Sequence, residues 1–343
     1  MKFEYRRTTL RLRAPLRSAH GTLTERELLS VTITGADGVS GHGEAAPLPS
    51  YEGPGVERVE RALERFRAAL ASIGDAGPPE ILEACRAADD LPEALAAVDL
   101  ALWDRAGRIR GVPVAELLSD NPHASVIVNA TLSALEQHRV AEQAAGAASA
   151  GFRCLKLKVG IGDDAARVAA AREAAGPGVA LRLDANGAWS VEQAERALAA
   201  LAPLGLELVE EPVHGLQRIR ALRARVDVRI SIDETAGEPG ALGAAAADAV
   251  CLKISRCGGI SGLLACAALV RTSGAEVYLA STLDGPLGVA AALHAAAALA
   301  SRGPLAPCGL ATLGLFANLD DPLAPSAGAI ALPRAPGLGV GPV

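Results

Sequence analysis

Two rhythms of hydrophobic and polar residues divide the chain into regions with different predicted folds. Near the N-terminus, apolar and polar residues alternate as in strands over residues 2–13 and 28–43, the second with a turn at Ala36-Asp37-Gly38. Stretches with helical periodicity follow at residues 56–73, 78–88 and 92–108. Strands followed by helices predict a small α+β domain, which we place at residues 1–120. A proline- and glycine-rich tail, residues 318–343, is expected to return to this domain.

From residue 125 onward, short apolar runs alternate with helical segments. Seven runs and a weaker eighth have the length of buried strands: Val126–Asn129, Cys154–Lys158, Ala180–Asp184, Leu206–Glu210, Arg229–Asp233, Ala249–Lys253, Glu276–Ala280 and Leu305–Pro307. Helical segments such as 134–150, 190–203 and 258–273 separate them. Such units predict parallel strands with right-handed crossovers. The long series favours a closed α/β barrel of the TIM type, (β/α), at residues 121–317, with an open doubly wound sheet as the alternative.

The composition of the chain argues against several classes of function. Lysine and arginine number 33 against 39 aspartate and glutamate, a net charge of −6 without a long basic run, so no nucleic-acid partner is expected. Residues 1–13 lack the apolar core of a signal peptide, and the apolar stretch 288–300 is too short to span a bilayer, so no membrane is expected. The six cysteines form no C-x-x-C pair, which favours free thiols in a cytoplasmic protein.

Charged residues end most of the apolar runs in the barrel region. Lys156 and Lys158 alternate with leucines, so both lysines share one face of the second strand and are expected to point into the barrel. The next four strands end in Asp184, in Glu210 or Glu211, in Asp233 and in Lys253. All these ends lie at the carboxyl face of the predicted barrel, where barrel enzymes have their active sites.

The set of charges predicts a metal site, although each charge alone would more often begin a solvated loop. Three carboxylates from consecutive strands can converge on one hard divalent cation, Mg²⁺ or Mn²⁺. Such an ion stabilises the enolate that forms when a proton leaves the carbon beside a carboxylate. A lysine must be neutral to remove that proton. We therefore expect Lys156 and the metal to lower the pKa of Lys158 from ~10.4 toward roughly 7–8.

Five barrel motifs resemble the muconate lactonizing enzyme subgroup of the enolase superfamily: Lys156-Leu-Lys158, Leu183-Asp-Ala-Asn-Gly-Ala-Trp189, Val209-Glu-Glu-Pro212, Ile232-Asp-Glu234 and Leu252-Lys-Ile254. Two motifs of the first domain, at residues 41–45 and 97–104, resemble the capping domain of that subgroup. The resemblance implies a (β/α) barrel with an N-terminal α+β capping domain completed by the C-terminal tail. It also implies an enzyme acting on a small carboxylate.

The same resemblance implies a role for each of several residues. The metal ligands are Asp184, Glu210 and Asp233, whereas Glu211 points away from the metal. Lys158 and Lys253 form the acid/base pair on opposite faces of the substrate, and Lys156 tunes Lys158. Asn186 is expected to form a hydrogen bond behind the ligands.

The motifs that indicate the substrate are less specific than the motifs of the barrel core. Residues 43–49 look like the corresponding region of o-succinylbenzoate synthases, which dehydrate a succinyl-cyclohexadiene carboxylate in menaquinone synthesis. Dipeptide epimerases, N-acylamino acid racemases and muconate cycloisomerases use the same core and stay open as alternatives. Dipeptide epimerases place an Asp-x-Asp pair after strand eight, which Cys308–Thr312 lacks. A non-catalytic binding barrel is disfavoured because every lysine and ligand is present.

Candidate pocket residues lie in loops at the same end of the barrel. Capping loops are expected at Ser18–Thr24 and Pro47–Gly53, where His20 and Tyr51 are candidates for substrate contact, although surface positions are the commoner case. Ser281, Thr282 and Asp284 follow the seventh strand and are candidates for the pocket wall. Barrels of this family often associate, so a homo-oligomer is a further expectation, without a predicted interface.

Overall fold

The first part of the chain forms an antiparallel sheet covered by helices. The structure is a computed structural model that describes residues 1–51, 53–73, 76–133 and 136–343. The elements are β1 (Lys2–Ser18), β2 (Gly21–Thr34), β3 (Ser40–Ala45), α1 (Val56–Ile73), α2 (Pro78–Ala88), α3 (Pro92–Arg110) and α4 (Val114–Leu118). Helix α3 packs directly on β3, because an added Cβ at Gly41 or Gly43 would collide with the backbone of α3.

One expectation for this region is confirmed and one is wrong in detail. The chain turns at residues 35–39 between β2 and β3, where the sequence predicts a turn at residues 36–38 of the run 28–43. The predicted capping loop Ser18–Thr24 belongs to the β1–β2 hairpin, where Ser18 pairs with Gly21 and only two residues form the turn. Alternation of apolar and polar residues weakens near this hairpin end, so its pattern did not indicate pairing. The second capping loop, Pro47–Gly53, contains Glu52, which lies outside the described residues.

The second part of the chain is a parallel seven-stranded barrel sheet. Its elements are β4 (Ser125–Ile127), β5 (Ala130–Leu132), α5 (Gln137–Ser149), β6 (Cys154–Lys158), α6 (Asp164–Ala175), β7 (Ala180–Asp184), α7 (Val191–Leu201), β8 (Leu206–Glu210), α8 (Leu216–Arg223), β9 (Ile230–Ile232), β10 (Ala249–Leu252), α9 (Ile260–Thr272), β11 (Glu276–Leu279), α10 (Pro286–Ala300) and β12 (Ala329–Ala331). Strands β5 to β11 neighbour one another in chain order. The expected barrel is therefore confirmed, and the open doubly wound sheet is excluded.

The first and last strands of the barrel differ from their predicted positions. The run 126–129 covers β4, which pairs antiparallel with β12 of the tail, and Val128, which bridges Cys308, while the strand that pairs with β6 is β5, directly after this run. The eighth segment is not Leu305–Pro307, since Cys308 and Gly309 make the bridges, to Val128 and Ala280 respectively. These bridges join the two ends of the sheet. The predicted helix 134–150 begins at residues outside the described ones, and α5 accounts for most of the remainder.

The C-terminal tail contacts both parts of the chain. Besides β12, its Leu338 backbone N–H donates to Asp104 Oδ1 of α3 at 2.7 Å. Asn318 Oδ1 accepts from the backbone N–H of Arg11 at 2.9 Å. The division of the chain at residues 120 and 317 stays a prediction. Within the described ranges, no helix combines the length and the apolar character needed to cross a lipid bilayer.

His294 links the buried helix α10 to two neighbouring segments. Its Nδ1 accepts from the backbone N–H of Ala115 at 3.1 Å, and its Nε2 lies 3.2 Å from the carbonyl oxygen of Leu338. These contacts use both ring nitrogens of a neutral imidazole. Burial lowers the pKa of His294 from 6.5 to about 4, although the Leu338 carbonyl and Asp104 favour the charged form.

We expect His294 to make the protein sensitive to mild acid. Between pH 6.5 and 4 the unfolded chain binds a proton at this residue that the folded chain does not, so its contribution to stability is complete above pH 6.5 and is lost as pH falls toward 4. At pH 5 the loss is about 2 kcal/mol. Urea unfolding at pH 7 and pH 5 measures it. His294→Gln keeps a neutral donor and acceptor and should lose about 2 kcal/mol less than the wild type; equal losses would contradict this role.

Candidate active site

The carboxyl ends of adjacent barrel strands bring the predicted core residues side by side. The parallel register pairs Lys158 of β6 with Asp184 of β7, and Asp184 with Glu210 of β8. Glu210 pairs with Ser231 of β9, so Asp233, two residues later, is expected on the same face. Lys253 follows β10 directly. Register alone therefore assembles lysines and acids at one rim of the barrel.

Ion pairs hold these side chains together in the interior. The Nζ of Lys156 lies 2.9 Å from both Asp184 Oδ2 and Glu210 Oε1. The Nζ of Lys158 donates to Asp184 Oδ2 at 2.7 Å and to Asn186 Oδ1 at 2.6 Å. On the other side, Lys253 Nζ lies 2.5 Å from Asp233 Oδ2. All three lysines are at most 9% exposed, so these pairs are shielded from solvent.

Attraction to the carboxylates of the cluster raises the pKa values of the lysines. Burial favours a lower pKa for Lys158, but attraction to Asp184 outweighs burial, and the pKa is raised above 10.5. Lys156 lowers the pKa of Lys158 only as a smaller contribution. Burial also favours a lower pKa for Lys253, but attraction to Asp233 outweighs burial and raises it. Both amines are therefore ammonium ions while these carboxylates have no other positive partner.

The acids of the cluster offer several carboxylate oxygens close together, which suits a cation. Burial raises the pKa of Glu210, and the nearby Asp184 and Asp233 raise it further despite Lys156. Burial and Glu234 likewise raise the pKa of Asp233. The Oδ1 atom of Asp233 is buried and has no hydrogen-bond partner in the part of the chain that the structure describes. A set of neighbouring carboxylate oxygens that includes an unpaired acceptor fits a hard divalent ion.

Glu211 has a different role from its neighbour Glu210. Its carboxylate accepts from the backbone N–H groups of Asp233, at 2.8 Å, and Thr235, at 3.1 Å. The Thr235 hydroxyl and the ring of His214 also contact it. Glu211 therefore fixes the segment of the chain that carries Asp233.

Sequence reasoning missed Tyr278 and gave no role to Glu234. The hydroxyl of Tyr278 donates to Glu210 Oε2 at 2.6 Å and lies 2.9 Å from Ser231 Oγ. Glu234 Oε1 accepts from Asn186 Nδ2 at 3.2 Å. Tyr278 is the central residue of an apolar strand, where a tyrosine normally indicates packing. The only available signal was that a buried tyrosine hydroxyl needs a partner.

A cavity opens from this cluster toward the first domain. Its walls combine the charged cluster with apolar and hydroxyl side chains from both parts of the chain: Leu16, Leu48, Tyr51, Thr131, Lys156, Lys158, Asp184, Asn186, Asp233, Lys253, Ala280, Ser281, Thr282, Leu283, Gly309, Thr312 and Leu315. The cavity volume is about 70 Å³, below the ~300 Å³ of an ordinary ligand site. The cavity in this conformation is therefore smaller than an ordinary substrate pocket.

The structure separates the candidate pocket residues into two groups. Tyr51, Ser281 and Thr282 line the cavity, and the Lys158 amine lies 5.7 Å from the centre of the Tyr51 ring. Asp284 and His20 are absent from the described lining. Asp284 instead accepts from the backbone N–H and the hydroxyl of Thr282, at 2.9 and 2.7 Å. His20 packs on Tyr51, with ring centres 4.5 Å apart.

Comparison with known proteins gives consistent matches along the chain. The family described as "Enolase C-terminal domain-like" matches residues 139–342, and "Mandelate racemase / muconate lactonizing enzyme, N-terminal domain" matches residues 3–119. Muconate cycloisomerase 1 of Rhodococcus opacus is 32% identical, over 95% of this chain and 91% of its own. The o-succinylbenzoate synthase of Mycobacterium bovis is 40% identical, over 61% of this chain and 64% of its own.

A solved structure adds a metal to the comparison. The dipeptide epimerase from Enterococcus faecalis V583, complexed with Mg and the dipeptide L-Leu-L-Tyr, superimposes with a TM-score of 0.89. It is 29% identical, and the match covers 98% of each chain.

Proposed function

Since the chain belongs to the muconate lactonizing enzyme subgroup of the enolase superfamily and is therefore an enzyme, we propose that it is a Mg²⁺-dependent dehydratase of the o-succinylbenzoate synthase type. The observation that carries this proposal is the pair of buried amines at one cavity. Lys158 is held by an acid of β7 and Lys253 by an acid that follows β9, so the two amines approach the cavity from different strands.

In this proposal Asp184, Glu210 and Asp233 hold the metal, which when bound polarises the substrate carboxylate and stabilises the enolate charge. Mn²⁺ is a second oxygen-seeking ion for the same ligands. Lys158 accepts the ring proton as the C–H bond breaks, and returns it to the departing hydroxide as the C–O bond breaks, so that water leaves. Lys253 stabilises the enolate from the opposite side. Lys156 keeps Asp184 and Glu210 in place through its two ion pairs.

The charges around the cavity support a substrate without an ammonium group. The acidic side chains among the described lining residues are Asp184 and Asp233, and each is paired with a lysine. A dipeptide ammonium would find no further carboxylate there. The capping side of the cavity consists of Leu16, Leu48 and Tyr51, which suit a carbon ring better than a charged group.

The direct test is turnover of the succinyl-cyclohexadiene carboxylate with purified enzyme and Mg²⁺. We expect an aromatic product with a change in ultraviolet absorbance, and one water released per product. The same reaction with EDTA serves as the control and should give no product. An absence of product at full Mg²⁺ loading would refute the dehydratase assignment.

The second candidate is an epimerase or racemase, favoured by the match over 98% of the dipeptide epimerase chain. Hydrophobic dipeptides and N-acylamino acids incubated with enzyme and Mg²⁺ in D₂O distinguish it. Deuterium at the α-carbon of the recovered substrate, with no dehydration of the cyclohexadiene, would establish this candidate instead.

A further inference from the structure

Cys251 places a sulfur atom beside the carboxylates of the site. It lies on β10 two residues before Lys253, so both side chains face the barrel interior. The residue is only 2% exposed. Ligand atoms of Cys251, Glu210 and Asp233 all lie within 4.8 Å of one another.

These separations are close to those in a shared metal site. Zinc binds thiolate sulfur at ~2.3 Å and carboxylate oxygen at ~2.0–2.2 Å, so atoms sharing one ion lie roughly 3–4.5 Å apart. A second observation points to a ligand, because Asp233 belongs to this group and its buried Oδ1 has no hydrogen-bond partner among the described residues.

The ligand atoms of this group include a sulfur in addition to carboxylate oxygens. Mg²⁺ takes oxygen ligands, whereas Zn²⁺ and Cd²⁺ gain from a thiolate. We propose that Cys251 adds a sulfur ligand to Glu210 and Asp233, so that this pocket binds thiophilic divalent cations in competition with Mg²⁺. On binding, the thiol proton leaves to solvent and the sulfur–metal bond replaces the S–H bond. The inference rests on the carboxylates of the proposed function but does not depend on any substrate.

Cadmium provides a readout that needs no turnover, because a thiolate bound to Cd²⁺ gives an ultraviolet charge-transfer band. Metal-stripped full-length protein is titrated with Cd²⁺, with absorbance and heat recorded together. Cys257 and Cys266 are partly exposed and could bind Cd²⁺ on their own, so all measurements use a Cys257→Ser, Cys266→Ser background. In this background we expect the band to saturate at one Cd²⁺ per chain and to disappear when excess Mg²⁺ is added.

Variants of Cys251 decide the outcome. Cys251→Ser and Cys251→Ala should lose the band and bind Cd²⁺ at least ~10-fold more weakly, while their Mg²⁺ affinity stays unchanged. Cys85→Ala removes a buried cysteine of α2 and should keep the band. A band retained in Cys251→Ser, a band that Mg²⁺ does not displace, or equal losses of Cd²⁺ and Mg²⁺ affinity would each overturn the proposal. Failure of the dehydratase assay would leave all these readouts unchanged.

Discussion

Lys158→Ala is expected to lower dehydration of the succinyl-cyclohexadiene carboxylate by roughly 10²–10⁴-fold, the usual contribution of a positioned acid or base. The lysine bonds to Asp184 and Asn186, so its removal takes away the amine nearest those groups. It also removes one positive charge from the side of Asp184. Mg²⁺ affinity, measured by calorimetry, should therefore be retained or increased while the turnover number falls.

Lys158→Arg is the matched control, because it keeps the positive charge but its guanidinium does not give up a proton at neutral pH. If proton transfer is the role of Lys158, the arginine variant should be nearly as inactive as the alanine variant. An arginine variant with wild-type turnover would show that Lys158 acts only through its charge. Circular dichroism of both variants checks that the fold survives.

The raised pKa values of the lysines mean that a bound metal would also affect how easily each lysine loses its proton. Asp184 holds Lys158 in its charged form, and a base must be neutral. A dication on Asp184 would take up the negative charge that now stabilises the ammonium. In the same way, a dication on Asp233 would weaken the attraction that raises the pKa of Lys253. The sequence analysis expects Lys156 and the metal together to lower the pKa of Lys158, and the part assigned to the metal stays a prediction.

The sequence was sufficient to predict the interior of the barrel but not its ends. Lys156 and Lys158 could be assigned to one face because strand alternation depends only on neighbouring residues. The run 126–129 has the same apolar character as a barrel strand, yet β4 pairs with a segment some 200 residues later. No local pattern distinguishes these partners. The bridges at Cys308 and Gly309 are equally invisible, because two isolated bridges leave no periodicity.

The parts of the site that sequence reasoning missed are contacts between distant residues. Tyr278 and Cys251 lie inside apolar strands, where each type of residue normally packs in a core. Their closeness to Glu210 depends on how β8, β10 and β11 curve around the barrel axis. By contrast, Asp184, Glu210 and Asp233 each end a strand, and parallel strands bring such ends to one rim. Their ligand roles stay a prediction until a metal is measured.

Removal of Mg²⁺ is expected to abolish turnover and leave the protein folded. Without the ion, Lys156, Lys158 and Lys253 already neutralise Asp184, Glu210 and Asp233 in part, so no isolated buried charge is left. Addition of Mg²⁺ at a hundred times its Kd should then stabilise the fold by about 2.7 kcal/mol. Thermal unfolding in EDTA and in Mg²⁺ measures this difference, and turnover in the same buffers measures the activity.

The size of the Mg²⁺ effect should depend on one carboxylate that the ligand proposal requires. Asp233→Asn removes the charge beside the unpartnered Oδ1 position and should lose most of the Mg²⁺-dependent rise in melting temperature. Asp320→Asn, at an exposed position in the tail, should keep that rise. Asp233→Asn also removes the charged partner of Lys253, so the melting temperature of this variant in EDTA should fall. A full Mg²⁺-dependent rise in Asp233→Asn would remove Asp233 from the ligand set and leave Lys253 as its sole partner.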